Sequence, residues 1–145
     1  MDRAEMLARL GYVAFAADIY VKGVHPKDAA ASAGLSGRFK ADRIALRARV
    51  RAALEVLRTD PRVDPARLAA IGYCFGGGTA LELARSGAPL RAVASFHGFL
   101  DTPVPATPGV LKARVLVFHW VDTCGILGAK VEDCSGTCTA GACVP

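Results

Sequence analysis

The chain has 145 residues, a length that fits one domain with a real hydrophobic core. Hydrophobic residues make up 52% of it, which excludes a disordered polymer, and no apolar run approaches the ~20 residues that a membrane span needs. The net charge of +5 arises largely from Arg38, Lys40, Arg43, Arg47, Arg49 and Arg51, with only Asp42 against them. This cluster reads as a solvated helix face in preference to a nucleic-acid surface, so neither a nucleic-acid nor a membrane partner is expected. The opening residues, Met1-Asp2-Arg3-Ala4-Glu5, do not have the pattern of a signal peptide. One cysteine, Cys74, lies in the first 123 residues, and Cys124, Cys134, Cys138 and Cys143 crowd the rest. A lone thiol in an otherwise cysteine-free body fits a reducing, cytoplasmic location and a chemical role.

In chain order, residues 3–10 are predicted as the end of a helix closed by Gly11. Tyr12-Val13-Ala14-Phe15-Ala16-Ala17 is a continuous apolar run, the mark of a strand buried on both faces. Residues 21–37, with Gly23, Pro26 and Gly34, are expected as loop or short helix. From about Arg38 to Arg58, Phe39, Ile44, Leu46, Val50, Ala53, Leu54 and Leu57 recur at helical spacing, and Asp60-Pro61 stops the helix. Leu68-Ala69-Ala70-Ile71 is a second buried strand, followed by a helix over Gly78–Arg85 that Ser86-Gly87 ends. Arg91–Phe96 and Val115–Phe118 are the third and fourth strands, with a Pro-rich loop (Pro103, Pro105, Pro108) between them. Apolar strands alternating with helices imply an α/β fold, a parallel sheet of about four strands with helices on both faces. Functional groups in such sheets gather beyond the carboxyl ends of the strands, where Asp18, Cys74, His97 and His119 all fall.

Ile71-Gly72-Tyr73-Cys74-Phe75-Gly76-Gly77-Gly78 carries the sharpest chemical signal. Glycines two before and two after Cys74 give the spacing of a nucleophile elbow, G-x-C-x-G. A nucleophile thrust out on a tight strand-to-helix turn needs minimal side chains around it, or the turn cannot close. The helix that follows would favour the thiolate and aim free N–H groups at a developing oxyanion. The plain alternative is a Gly-rich turn around a buried structural cysteine.

Residues from about Arg3 to Phe118 resemble the dienelactone hydrolase family of α/β-hydrolases. The matching words are Leu10-Gly11-Tyr12-Val13-Ala14 with Ala17-Asp18-Ile19-Tyr20, then Asp64 to Gly77, and Ser95-Phe96-His97-Gly98. The resemblance implies a partial α/β-hydrolase domain over residues 1–123 and a small carboxylic ester or lactone as substrate, with no cofactor and no metal. It implies Cys74 as the nucleophile and the backbone N–H of Phe75 as an oxyanion donor. The family's acid follows the strand placed at Val115–Phe118, where Asp122 is the acid at hand, although a gap-free comparison puts the position at Thr123. The family also has strands ahead of the helix that opens this chain, supplying a second oxyanion donor and a Glu at the resting thiol. Its base comes after the acid, and no histidine follows His119. His97 and His119 reach the right edge of the sheet, but a structural role is favoured for each.

Residues 124–145 show neither helical nor strand period and are expected to be an irregular, Cys-rich tail, explained by a shifted reading frame or mis-joined gene in preference to a metal site. The expected activity is ester or lactone hydrolysis through Cys74, impaired by the missing base. The alternatives are an inactive hydrolase fragment and a thiol- or metal-binding module built on the tail cysteines. An incompletely flanked sheet is also expected to self-associate through its exposed edges.

Overall fold

Short apolar strands joined through helices can satisfy their backbone groups only by pairing in parallel. The computed structural model describes residues 3–20 and 23–119, and the backbone of 138–139 and 142–143. Its elements are α1 (Arg3–Arg9), α2 (Ala29–Ala41), α3 (Arg43–Arg58), β1 (Ala69–Tyr73), α4 (Phe75–Arg85), β2 (Ala92–Phe96) and β3 (Arg114–Phe118). Two further pieces, β4 (Cys138–Thr139) and β5 (Ala142–Cys143), pair antiparallel with Cys138 opposite Cys143. The strands β1, β2 and β3 form a parallel sheet in that order, with Ala69 beside Ala92 and Ala92 beside Arg114.

The α/β class agrees with the sequence, but the parallel sheet has three paired strands among the described residues instead of about four. Residues 12–18 belong to no ladder, and Tyr12, Val13 and Phe15 are 65%, 42% and 47% exposed. An apolar run becomes a strand only where a neighbour takes up its backbone groups. This one lines an apolar cavity of about 1140 Å³ together with β1 but is not bonded to it. The helix expected over Arg38–Arg58 is likewise two helices. Asp28 caps α2 by accepting from the Ala31 N–H at 2.7 Å, so that the short-helix alternative for residues 21–37 holds over its second half and runs on to Ala41. Asp42 then divides α2 from α3: its N–H bonds the Arg38 carbonyl, and its carboxylate accepts from the Ala45 N–H at 2.9 Å.

Alternation along the strands sends Ala70, Gly72, Val93 and Ser95 toward α4, whose residues Gly77 to Ala84 are all buried. Leu46, Val50 and Leu54 of α3 pack behind α4 and, with Leu68, Leu81, Leu83, Leu90 and Val93, make the core. The opposite face presents Ile71, Tyr73, Leu116 and Phe118, which are 46%, 37%, 54% and 49% exposed. On that face Tyr73, Phe96 and Phe118 stack across the three strands at 4.8 and 4.7 Å, and the guanidinium of Arg3 lies 5.1 Å over the Tyr73 ring. Helices therefore touch both faces, but unequally.

The basic segment is a solvated face only in part: Arg38, Lys40, Arg49 and Arg51 are exposed, whereas Arg43 is buried and Arg47 half-buried. Arg47 bonds Glu82 at 2.8 Å and the Val104 carbonyl, while Arg85 bonds Glu82 at 2.8 Å and the Leu100 carbonyl at 2.7 Å. Arg43, 3% exposed, pairs with Asp101 at 2.9 Å and lies 4.2 Å over the Phe99 ring. Arg51 donates to the Ser86 carbonyl at 2.8 Å. Arginines of α3 and α4 thus pin the segment that follows β2. Glu82 is fully buried between two cations, so Glu82→Ala should cost about 3 kcal/mol, read as a lower denaturation midpoint, with Glu82→Gln costing less. Ser95 is the reverse case: its buried hydroxyl has no hydrogen-bond partner among the described residues. Ser95→Ala should be neutral or stabilising by up to about 1 kcal/mol in the same measurement.

Candidate active site

The site starts from a steric problem at the end of β1. For the chain to leave the strand and enter α4 without an intervening loop, one residue must reverse direction, and Cys74 does so with φ 49° and ψ −119°. That backbone region is sparsely populated by any residue with a Cβ, and holding it costs on the order of 1–3 kcal/mol. The surroundings enforce it. The Cys74 N–H donates to the Phe96 carbonyl at 3.0 Å, and the Cys74 carbonyl accepts from Gly77 and Gly78 at 3.1 and 3.3 Å. Gly72 lies under the turn, where a Cβ would run into the Gly76 carbonyl.

The sequence places the steric demand at two glycines flanking the cysteine, but the structure distributes it otherwise. A Cβ on Gly76 would meet nothing, whereas one on Gly77 would come within 2.7 Å of the Ser95 hydroxyl. One on Gly78 would strike the Phe99 ring, and one on Gly98 would strike the backbone of Gly78. The close packing thus joins the first turn of α4 to the end of β2 and the residues after it. α4 begins at Phe75, three residues earlier than its sequence periodicity indicates, so Cys74 is its N-cap. Among the described residues no turn or loop hydrogen bond occupies the N–H of Phe75, the predicted oxyanion donor, at this helix start.

Cys74 is exposed, as catalysis requires, and not the buried structural thiol of the plain alternative. Its side chain meets His97: Sγ lies 3.1 Å from Nδ1. His97 is the second non-glycine residue with a left-handed backbone, φ 43°, and its N–H donates to the Phe118 carbonyl at 2.6 Å. The Tyr73 ring flanks the imidazole at 6.3 Å. The sequence favours a structural role for His97, yet the signal that pairs it with Cys74 is present. In the parallel register Tyr73 stands beside Phe96, so the next residues on the two strands, Cys74 and His97, must emerge side by side.

On the helix side of Cys74, Phe75 stacks on Tyr20 at 5.4 Å and meets Phe39 at 6.4 Å and Phe99 at 6.2 Å. Desolvation in this aromatic cluster raises the Tyr20 phenol above its ordinary pKa of 10.0, partly offset by a hydrogen bond with Ser36. The cavity beside α1 is lined by neither Cys74 nor His97, so the thiol is approached from the exposed rim. Asp122 and the tail residues Cys124 and Cys134 lie outside the described residues, as does the segment joining them. His119, exposed just past β3, makes no contact with Cys74 among the described residues.

Comparison with known proteins finds solved structures that share the fold. A solved structure named m3DLH superposes with a TM-score of 0.76 at 50% identity, covering 81% of this chain and 49% of its own. A second, the dienelactone hydrolase-like promiscuous phosphotriesterase P91 from metagenomic libraries, gives a TM-score of 0.74 at 44% identity, covering 83% of this chain and 50% of its own. The uncharacterized protein K02A2.1 of Caenorhabditis elegans is 45% identical over 64 residues, which are 43% of this chain and 40% of that protein. The chain therefore spans half or less of the length of these relatives. The dienelactone hydrolase family model matches residues 1–123, so that the chain, elbow and flanking strands included, belongs to the dienelactone hydrolase family.

Proposed function

We propose that the chain carries the nucleophilic half of a carboxylic-ester or lactone hydrolase, with Cys74 attacking the substrate carbonyl. The observation that carries this reading is the exposed thiol at φ 49° on the first residue before α4, with the Phe75 N–H beside it. Attack on an ester or lactone carbonyl forms a C–S bond and an oxyanion that the Phe75 N–H and the start of α4 stabilise. Collapse expels the alcohol, and water then releases the acid from the thioester. Among the described residues no carboxylate is bonded to His97, which supports slow turnover in place of a full triad rate.

The test is hydrolysis of p-nitrophenyl acetate and of a dienelactone by the full chain and by Cys74→Ala. Turnover of both substrates that vanishes with the thiol supports the reading. Equal rates for the two proteins would overturn it.

A further inference from the structure

We infer that His97 is the base for Cys74 in this chain, an assignment that rests on Cys74 being the nucleophile as proposed above. Three observations converge on it. The contact itself is of hydrogen-bond length, with Sγ 3.1 Å from Nδ1. The imidazole is held from the backbone: the left-handed φ of 43° and the bond from its N–H to Phe118 aim it along the sheet edge toward β1. The residues that follow are locked as well. Gly98 packs against the backbone of Gly77 and Gly78, the Phe99 ring covers Gly78, and Arg43 and Arg85 hold Asp101 and the Leu100 carbonyl. Two non-glycine residues in left-handed backbone, side by side and with their side chains in contact, are a costly arrangement that packing alone does not require. A base must be held to within a fraction of an ångström of the proton that it takes, and this framework does so.

With its own ring proton on Nε2, His97 accepts the thiol proton at Nδ1, leaving a thiolate beside an imidazolium. The thiolate attacks the carbonyl carbon, forming the C–S bond and moving the carbonyl electron pair onto oxygen. As the tetrahedral species collapses, the leaving alkoxide takes the proton from Nδ1 and departs as the alcohol. In the second half, water gives a proton to Nδ1 while its oxygen attacks the thioester. The C–S bond breaks, returning its electrons to sulfur, which takes the proton back from Nδ1 as the acid leaves, restoring the thiol and the neutral imidazole. Among the described residues, the titratable or charged groups in contact around the pair are Tyr73, whose ring flanks the imidazole, and Arg3 on the Tyr73 ring, and neither is bonded to the Cys74 sulfur.

The test compares the full chain with His97→Gly and His97→Asn, both of which tolerate a positive φ. The readouts are the p-nitrophenol burst from p-nitrophenyl acetate and alkylation of Cys74 by iodoacetamide, from pH 6 to pH 10. His97→Asn should slow both at pH 7 by roughly 100-fold, the lower end of general-base contributions. The deficit should close toward pH 10, where hydroxide removes the thiol proton without help. Added imidazole should restore the burst of His97→Gly, which a merely structural role would not allow. A His97→Asn deficit that is the same at every pH, with no rescue of His97→Gly by imidazole, would overturn the assignment. If the burst survives Cys74→Ala, the nucleophile reading fails instead, so the two failures are distinct.

Discussion

Replacing Cys74 by alanine should reduce p-nitrophenyl acetate hydrolysis to the background of buffer, a fall of about 1,000-fold or more. The backbone of the elbow does not require the thiol: the hydrogen bonds that hold position 74 are made by its main chain, and the exposed side chain meets only the edge of the His97 imidazole among the described residues. The variant should therefore fold as the parent does, with an unchanged melting transition, and lose chemistry alone. Cys74→Ser separates nucleophilicity from geometry. A hydroxyl on the same turn is a far weaker acid than a thiol, and a histidine with no carboxylate bonded to it among the described residues is a poor partner for serine. Serine should thus fall close to alanine. Full activity in the serine variant would mean that a stronger base than His97 acts on position 74.

Gly72→Ala should be the most destructive single-methyl change in the chain, with a loss of about 4 kcal/mol or more, enough to leave a marginally stable domain largely unfolded. Its Cβ would fall within the radius of the Gly76 carbonyl, and both walls of that contact are backbone, so neither a rotamer change nor a small shift relieves it. Gly76→Ala is the control. Space is open around its Cβ and alanine is the better helix former, so the change should stay within about 1 kcal/mol of the parent and fall on the stabilising side. Urea midpoints of the two variants check the contrast. A Gly76 variant as damaged as the Gly72 variant would show that the elbow closes around both glycines equally.

That contrast marks where the sequence was legible. The word around Cys74 locates the tight turn between β1 and α4, and runs of apolar residues locate β1, β2 and β3 to within a residue or two. Periodicity missed the break at Asp42, because a single cap satisfies the N–H of Ala45 without disturbing the spacing of Leu46, Val50 and Leu54. It also overread Tyr12–Ala17, since composition reports the tendency to pair and not the presence of a partner. The arginines of α3 read as surface because their partners, Glu82, Asp101 and the Val104 carbonyl, are 35 to 58 positions away in sequence. The contact between His97 and Cys74 is hidden for a related reason: it depends on strand register, which brings position 97 beside position 74, a neighbourhood that a motif read along the chain does not contain.

In the proposed reaction Cys74 forms a thioester with the acyl group of its substrate. Mass spectrometry of the full chain, quenched in acid within the burst of p-nitrophenyl acetate hydrolysis and digested, tests this most directly. The expected result is one acetyl group per chain on the peptide containing Cys74, removed by hydroxylamine and absent from Cys74→Ala. Acetyl found elsewhere, on a lysine or on His97, with Cys74 unmodified while hydrolysis proceeds, would contradict it.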